Sequence, residues 1–231
     1  MTPHFIFYDT ETTGTNIEKD RVIEIAAYNP ETDQSFVSYV NPGVIIPEEA
    51  STIHGITNDI VAEAPDFPAV IDLFINFCGE NTILVAHNND NFDFPLLENE
   101  CLRHSISLPK YSSIDSLKWA KKYRPDLPKH NLQYLRQVYG FSENRAHRAL
   151  DDVIILHKVF SAMIGDLAPS TVLNLLSGTS SPKTFKMPFG KYKGKKLTEV
   201  PNSYIQWLQE QGVFDKPENK EIKQAVEALG L

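Results

Sequence analysis

Asp9 and Glu11 stand two residues apart in the run Phe7-Tyr-Asp-Thr-Glu-Thr-Thr-Gly14, at the end of an apolar strand-like stretch. Side chains at i and i+2 of a strand share a face, which sets the two carboxylates about 6 to 7 Å apart along the backbone. Acids held side by side raise each other's pKa unless a cation lies between them. Taken alone, Asp-x-Glu also fits a solvated strand end, so the other acids matter. Asp93 closes the run His87-Asn-Asn-Asp-Asn-Phe-Asp93 at the start of a predicted helix, where the helix dipole by itself would favour an acid. His147-Arg-Ala-Leu-Asp-Asp152 opens the strongest amphipathic pattern in the chain. Five residues subtend about 140° on an ideal helix, so His147 and Asp152 are not a same-face ligand pair. Their spacing suits a histidine on the entering loop or first turn and a carboxylate one turn in, with Asp151 as a solvated neighbour.

Four carboxylates from three distant segments, without cysteine ligands, describe an oxygen-only site for a hard cation, Mg²⁺ or Mn²⁺, rather than zinc. Two such ions can hold a phosphodiester, activate water and stabilise a leaving 3′ oxygen. A histidine with a pKa near neutrality can take the water's proton.

These residues need a frame. Phe5 to Tyr8, Val22 to Tyr28 and Phe36 to Val40 are β-branched and aromatic runs separated by turn signals, which predicts three successive antiparallel strands. An irregular stretch follows, then a helix marked by Ala69-Val70, Leu73-Phe74 and Phe77, and a buried strand over Thr82 to Ala86. A helix from about Phe92 to His104, a short strand near Ser112 to Ile114, and helices near Leu117 to Lys122 and Leu132 to Tyr139 continue a β-α-β-α alternation. Ala149, Val153, Leu156, Phe160 and Met163 form one helical stripe. The pattern implies an α/β fold, a mixed sheet flanked by helices. A small helix around Thr171 to Leu176 precedes the linker-like Ser177-Gly-Thr-Ser-Ser-Pro182. The expected organisation is therefore residues 1–176, a linker at 177–182, and a small basic α+β segment at 183–231 that leans on the main domain for want of an ample core.

The 231 residues are 42% hydrophobic, which excludes disorder for the chain as a whole. A net charge of −8 would argue against nucleic acid were it uniform. It is not: residues 1–182 hold 13 basic against 24 acidic side chains, a net −11, and the remainder holds 9 against 6, a net +3. From Lys183 to Thr198 there are six lysines and no acid, interleaved with Phe185, Phe189 and Tyr192, while Gly190 and Gly194 bracket a tight turn or hairpin. A lysine-rich hairpin is commonly just a solvated surface. Beside an acidic catalytic domain, Lys191, Tyr192, Lys193, Lys195 and Lys196 become candidate substrate contacts, cations for phosphates and a ring for bases. Cys78 and Cys101 sit in apolar helical patterns and read as core residues. Without a run of about 20 apolar residues the expectation is a cytoplasmic protein with no membrane partner.

Phe7-Tyr-Asp-Thr-Glu-Thr-Thr-Gly, Ala86-His-Asn-Asn-Asp-Asn-Phe-Asp and His147-Arg-Ala-Leu-Asp-Asp together resemble the three motifs of the DnaQ-like DEDDh 3′-to-5′ exonucleases, over residues 4 to 165. The resemblance implies a ribonuclease-H-like fold with a five-stranded sheet, metal ligation by Asp9, Glu11, Asp93 and Asp152, and His147 as general base on a mobile loop. Three residues separate His87-Asn88 from Phe92-Asp93, as in the Trex-type branch, where proofreading subunits and exonuclease X usually have two. Ile53-His-Gly-Ile-Thr57 resembles a segment lining the terminal-nucleotide pocket, which makes His54 a candidate substrate contact. Thr12 and Asn88 are weaker candidates, since they can equally shape a turn and cap a helix. The lysine-rich segment, with Tyr204-Ile-x-Trp-Leu after it, resembles the C-terminal region of exonuclease X-like proteins, and Trp207 and Leu208 are expected as core residues of a helix there. The implied activity is metal-dependent release of nucleoside 5′-monophosphates from DNA 3′ ends, on single strands or duplexes. Alternatives are trimming of RNA 3′ ends and a nucleic-acid-binding module without catalysis.

Overall fold

The computed structural model describes residues 3–142, 149–177, 185–216 and 219–229. The chain forms two compact units, Met1–Pro169 and Ser170–Leu231.

The first unit is built on a five-stranded sheet of order β3-β2-β1-β4-β5. Its strands are β1 (His4–Thr12), β2 (Val22–Asn29), β3 (Gln34–Tyr39), β4 (Thr82–Ala86) and β5 (Ser112–Asp115). The β1-β2 and β2-β3 pairs are antiparallel, and β1-β4 and β4-β5 are parallel. This is the expected mixed, ribonuclease-H-like α/β sheet. All five residues of β4 are buried, as a strand covered on both faces requires.

Alternation along β1 assigns its two faces. Tyr8 packs on Phe74 of α3 (Phe67–Cys78), ring centroids 5.9 Å apart. Phe5 and Phe7 turn the other way, onto Phe160 of α7 (Ala149–Ile164), at 5.9 and 6.0 Å. Asp9 and Glu11 share the Phe5/Phe7 face. Beside the expected stripe, α7 buries Ile155 and Val159 against Ala120 and Leu135, with Met163 of that stripe packed on the same cluster, from α5 (Ser116–Tyr123) and α6 (Leu132–Val138). Truncating Phe160, which has no exposed surface, would cost about 3 to 5 kcal/mol.

Two short helices, α1 (Glu48–His54) and α2 (Asn58–Val61), lie in the stretch expected to be irregular. Neither has a side-chain N-cap bond, and of α1 only Ala50 and His54 are buried, too little to register as a period. α4 (Asp93–Arg103) completes the layer. Its Glu100, 1% exposed, binds Arg21 at 2.6 Å and also pairs with Arg103, tying the loop after β1 to α4. Cys78 and Cys101 are buried and free, as expected. Among the described residues no single helix is long and apolar enough to cross a membrane.

The second unit contains α8 (Pro169–Ser177, counted from its second residue), α9 (Asn202–Glu210) and α10 (Lys220–Leu229). Contrary to expectation the basic segment has a core of its own, in which Met187, Leu197, Ile205, Leu208, Phe214 and Ile222 are buried. The lysine-rich run forms a short hairpin: Lys186 and Lys196 make an antiparallel bridge, and the Met187 N–H donates to the Lys195 carbonyl at 2.8 Å. At the turn, Gly190 has φ +73°, and a Cβ there would stand 2.5 Å from the Tyr204 hydroxyl. Glycine is thus required both for its backbone conformation and for room. Leu208 is core, but Trp207 is not: it is 50% exposed. On α9 the inward face is set by Ile205 and Leu208, and Trp207 instead stacks on Tyr204, one turn earlier.

Candidate active site

β1 outruns its parallel neighbour. The β1-β4 register ends at Phe7 opposite Val85, and the chain leaves the sheet after Ala86. Asp9 and Glu11 therefore lie past the last β1-β4 pair, at the switch from antiparallel to parallel pairing, and are partnered on the antiparallel side by Ala26 and Glu24. The carboxyl end of a strand where pairing changes direction is a natural ligand site. The first turn of α7 brings Asp152 to the same place. One carboxylate oxygen each from Asp9, Glu11 and Asp152 lie within 4.8 Å of one another.

Asp93, at the start of α4, is 2% exposed and accepts a hydrogen bond from the Thr10 hydroxyl at 2.8 Å. Burial pushes its carboxyl up to about 6, offset in part by that hydroxyl. Desolvation, then Asp93, Glu11, Asp152 and Glu24 in that order, hold the Asp9 carboxyl well above the usual range. Asp9 and Asp93 therefore resist ionisation until positive charge is supplied, and oxygen donors alone suit a hard divalent ion.

The supports of these acids are equally specific. Asp115 accepts the backbone N–H groups of Asn88 at 3.0 Å and of Leu117 at 2.9 Å, capping α5 and fixing the start of the loop that leads to Asp93. The Tyr8 hydroxyl donates to Asn89 Oδ1 at 2.5 Å, and Asn89 Nδ2 donates to the Ile114 carbonyl. On the other side, Gln133 Nε2 donates to Asp152 Oδ1 at 3.1 Å, while Arg136 Nε donates to Gln133 Oε1 at 2.9 Å. Arg136 also holds the Phe141 carbonyl at 2.9 Å.

The acids assigned from sequence thus split into a close trio, Asp9, Glu11 and Asp152, with Asp93 buried beside Asp9. His147 lies outside the described residues. Thr12 is 8% exposed and its hydroxyl donates to the Gly14 carbonyl at 2.6 Å. Asn88 has φ +70°, and its side chain accepts from Asn91 rather than capping α4. His54 ends α1, 5% exposed, with Nδ1 accepting the Ile56 N–H at 3.0 Å. Lys191, Tyr192, Lys193, Lys195 and Lys196 occupy the hairpin of the second unit.

Several residues were not anticipated. Glu24, 3% exposed, faces Glu11 across the strands; a glutamate inside the apolar run Val22-Ile-Glu-Ile was its one signal. Gln133 had none. Lys118, Lys121 and Lys122 line a cleft of about 530 Å³ together with Asp90 and Asp115, beside the loop that carries Asp93, and Lys118 pairs with Asp90 at 3.0 Å.

Comparison with known proteins agrees with this geometry. Residues 6–160 match the family described as Exonuclease (RNase_T), and residues 181–223 match one described as a putative quorum-sensing-regulated virulence factor. Exonuclease DPD1, chloroplastic/mitochondrial, of Arabidopsis thaliana is 38% identical over 179 residues, which cover 70% of this chain but 56% of that protein. The DNA polymerase III subunit epsilon of Aquifex aeolicus is 31% identical over 166 residues, 71% of this chain and 81% of the subunit. In fold, the chain resembles E. coli exonuclease I in its complex with single-stranded DNA, with a TM-score of 0.62 at 22% identity over 80% of this chain and 47% of that one. It also resembles exonuclease X in complex with 5′-overhanging duplex DNA, at a TM-score of 0.58 and 21% identity over 74% of this chain and 99% of that one. With the acidic trio at the end of β1 and the family match spanning nearly the whole first unit, the chain belongs to the DnaQ-like DEDDh 3′-to-5′ exonuclease family.

Proposed function

We propose that the protein is a metal-dependent 3′-to-5′ exodeoxyribonuclease that releases nucleoside 5′-monophosphates from DNA ends. The observation that carries this reading is the convergence of Asp9, Glu11 and Asp152 oxygens within 4.8 Å, with the desolvated Asp93 beside Asp9. These four acids would hold Mg²⁺ or Mn²⁺, two ions in this reading, which supply Lewis acidity at the scissile phosphate and charge to the departing 3′ oxygen. The chain's own groups do the rest. His147, on the segment leading into α7, accepts the proton of the attacking water as its oxygen bonds to phosphorus and the bond from phosphorus to the 3′ oxygen breaks. Gln133 keeps Asp152 aimed at Asp9 and Glu11, and Asp115 holds the loop before Asp93. Lys118, Lys121 and Lys122 offer the incoming strand a cationic wall within an otherwise acidic unit. His54, Thr12 and Asn88 are assigned to the terminal nucleotide, and the hairpin lysines to the phosphates of the strand.

The test uses 3′- and 5′-labelled single-stranded DNA and RNA at equal salt, with Mg²⁺ or EDTA. Mononucleotide release from the 3′ label, shortening ladders from the 5′ label, an intact circular substrate, and loss of activity in Asp152→Ala and His147→Ala are expected. Faster digestion of RNA than of DNA refutes the substrate, and full activity in either variant refutes the site.

A further inference from the structure

We infer that Trp207 and the lysine hairpin form a docking surface for unpaired DNA, with one base stacked on the indole and phosphates farther along the same strand held by Lys191 and Lys195. The choice of DNA rests on the exonuclease reading above; the surface itself rests on geometry.

Within residues 185–229, among the described side chains, Trp207 is the large apolar group left exposed, at 50%, although the unit has a well-formed core to receive it. It ends a row of three rings. Tyr192 meets Tyr204 edge to face with centroids 4.9 Å apart, and Tyr204 stacks on Trp207 at 5.8 Å with 25° between planes. At the other end of the row the ammonium groups of Lys191 and Lys195 stand 5.6 and 5.8 Å from the Tyr192 ring. The row is fixed in place: the Lys191 N–H donates to the Tyr204 hydroxyl at 3.3 Å, and Gly190 leaves that hydroxyl its room. The hairpin lysines are exposed, and no acid occurs between Lys183 and Thr198. A rigid aromatic row with an exposed indole at one end and, at the other, lysines that form no ion pair among the described residues complements an unpaired base on a strand whose phosphates run on past it. A duplex covers its base faces everywhere but at the terminal pair, whereas a single strand offers the indole a base at every position, so the occupant is a single strand.

The chain has two tryptophans, and Trp119 is 2% exposed, so quenching by a bound oligonucleotide reports Trp207. The full chain in EDTA, where the probe survives, is titrated with a fluorescein-labelled thymidine oligonucleotide, read by tryptophan emission and by anisotropy. Quenching is expected. Trp207→Ala should weaken binding about 5- to 150-fold at fixed salt, the loss of one base-aromatic stack, with the slope of log K against log salt unchanged. Trp207→Phe, which keeps a ring, should bind within about threefold of wild type. Replacing Lys191 and Lys195 by Ala should instead lower the slope by about 1.4, some 0.7 for each phosphate contact on a single strand. Equal affinity for an abasic oligonucleotide or a blunt duplex, or unchanged binding in Trp207→Ala, overturns the stack. Loss of the salt slope in both Trp207 variants overturns it too, because the indole would then be supporting the hairpin. Tenfold tighter binding of a ribo-oligonucleotide overturns the assignment to DNA. Digestion of 3′-labelled DNA by the wild type in Mg²⁺ is scored separately: its absence would refute the exonuclease reading and leave the binding result standing.

Discussion

Replacing Asp93 by Asn should stabilise the metal-free protein while disabling it. Asp93 is 2% exposed, and burial raises its carboxyl from 3.8 to about 6. At 1.36 kcal/mol per pKa unit, keeping it ionised in the fold at pH 7.5 costs about 3 kcal/mol relative to the unfolded chain. Between about pH 4 and 6 the folded state still holds a proton that the unfolded chain has lost, so stability falls as pH rises through this window and is level above it. Asparagine has the same shape and carries no charge; its one carbonyl can keep the Thr10 hydroxyl, which stands 2.8 Å from Asp93 Oδ1, but its amide group cannot also accept the backbone N–H groups of Thr10 and Asp93 that the carboxylate holds, which sets the full charge cost as the ceiling of the gain. In EDTA at pH 7.5 the variant should therefore gain up to about 3 kcal/mol, or roughly 6 to 12 °C in Tm. At pH 4 the two proteins should melt together. Saturating Mg²⁺ should close the gap, because it stabilises the wild type by mass action. Thermal melts followed by circular dichroism at both pH values, with and without metal, give all four comparisons. A variant less stable than wild type at pH 7.5 in EDTA, or a difference independent of pH, would refute the reasoning.

Gln133→Ala removes the donor 3.1 Å from Asp152 Oδ1 and should weaken Mn²⁺ binding by about 10-fold in calorimetric titration, as lost supports of ligating carboxylates do. Asp115→Asn gives up a charged acceptor shared by the N–H groups of Asn88 and Leu117; urea denaturation should show a loss of about 1 to 3 kcal/mol, and kcat should fall more than KM rises. Gly190→Ala must fit a Cβ that would lie 2.5 Å from the Tyr204 hydroxyl, at φ +73°. It should destabilise the second unit by about 1 to 3 kcal/mol, read from Trp207 emission in denaturant, with partial recovery when Tyr204→Phe is added.

Elements with a strong local pattern were legible before any coordinates. β4 runs from Thr82 to Ala86 as predicted, because five consecutive buried residues between turn signals admit few other readings. The α7 stripe was equally plain, although Ile155 and Val159, which face other helices, lie off it. α1 and α2 were not legible, since so short a helix depends on what packs above it. Asp9 and Glu11 followed from a spacing of two on a strand, and Asp152 from the onset of a helical period. Glu24 and Gln133 enter the site, and the lysines of α5 the cleft beside the loop that carries Asp93, only through cross-strand register or helix packing, which no local window encodes. Trp207 was misassigned because its neighbours Ile205 and Leu208 are core; which flank of a helix carries the extra aromatic depends on what stands opposite.

The order in which the acids occur along the chain has a consequence for biogenesis. Asp9 and Glu11 lie on the first strand and Asp152 on α7, which packs on β1 and β2. A chain emerging from the ribosome exposes three of the four acids long before the fourth, and the trio closes only when the two ends of the unit meet. Loop closure over such a separation comes late in folding. Hydrolytic competence is thereby withheld from nascent and half-folded molecules, and a chain truncated ahead of Ala149 should lack it outright rather than retain a fraction.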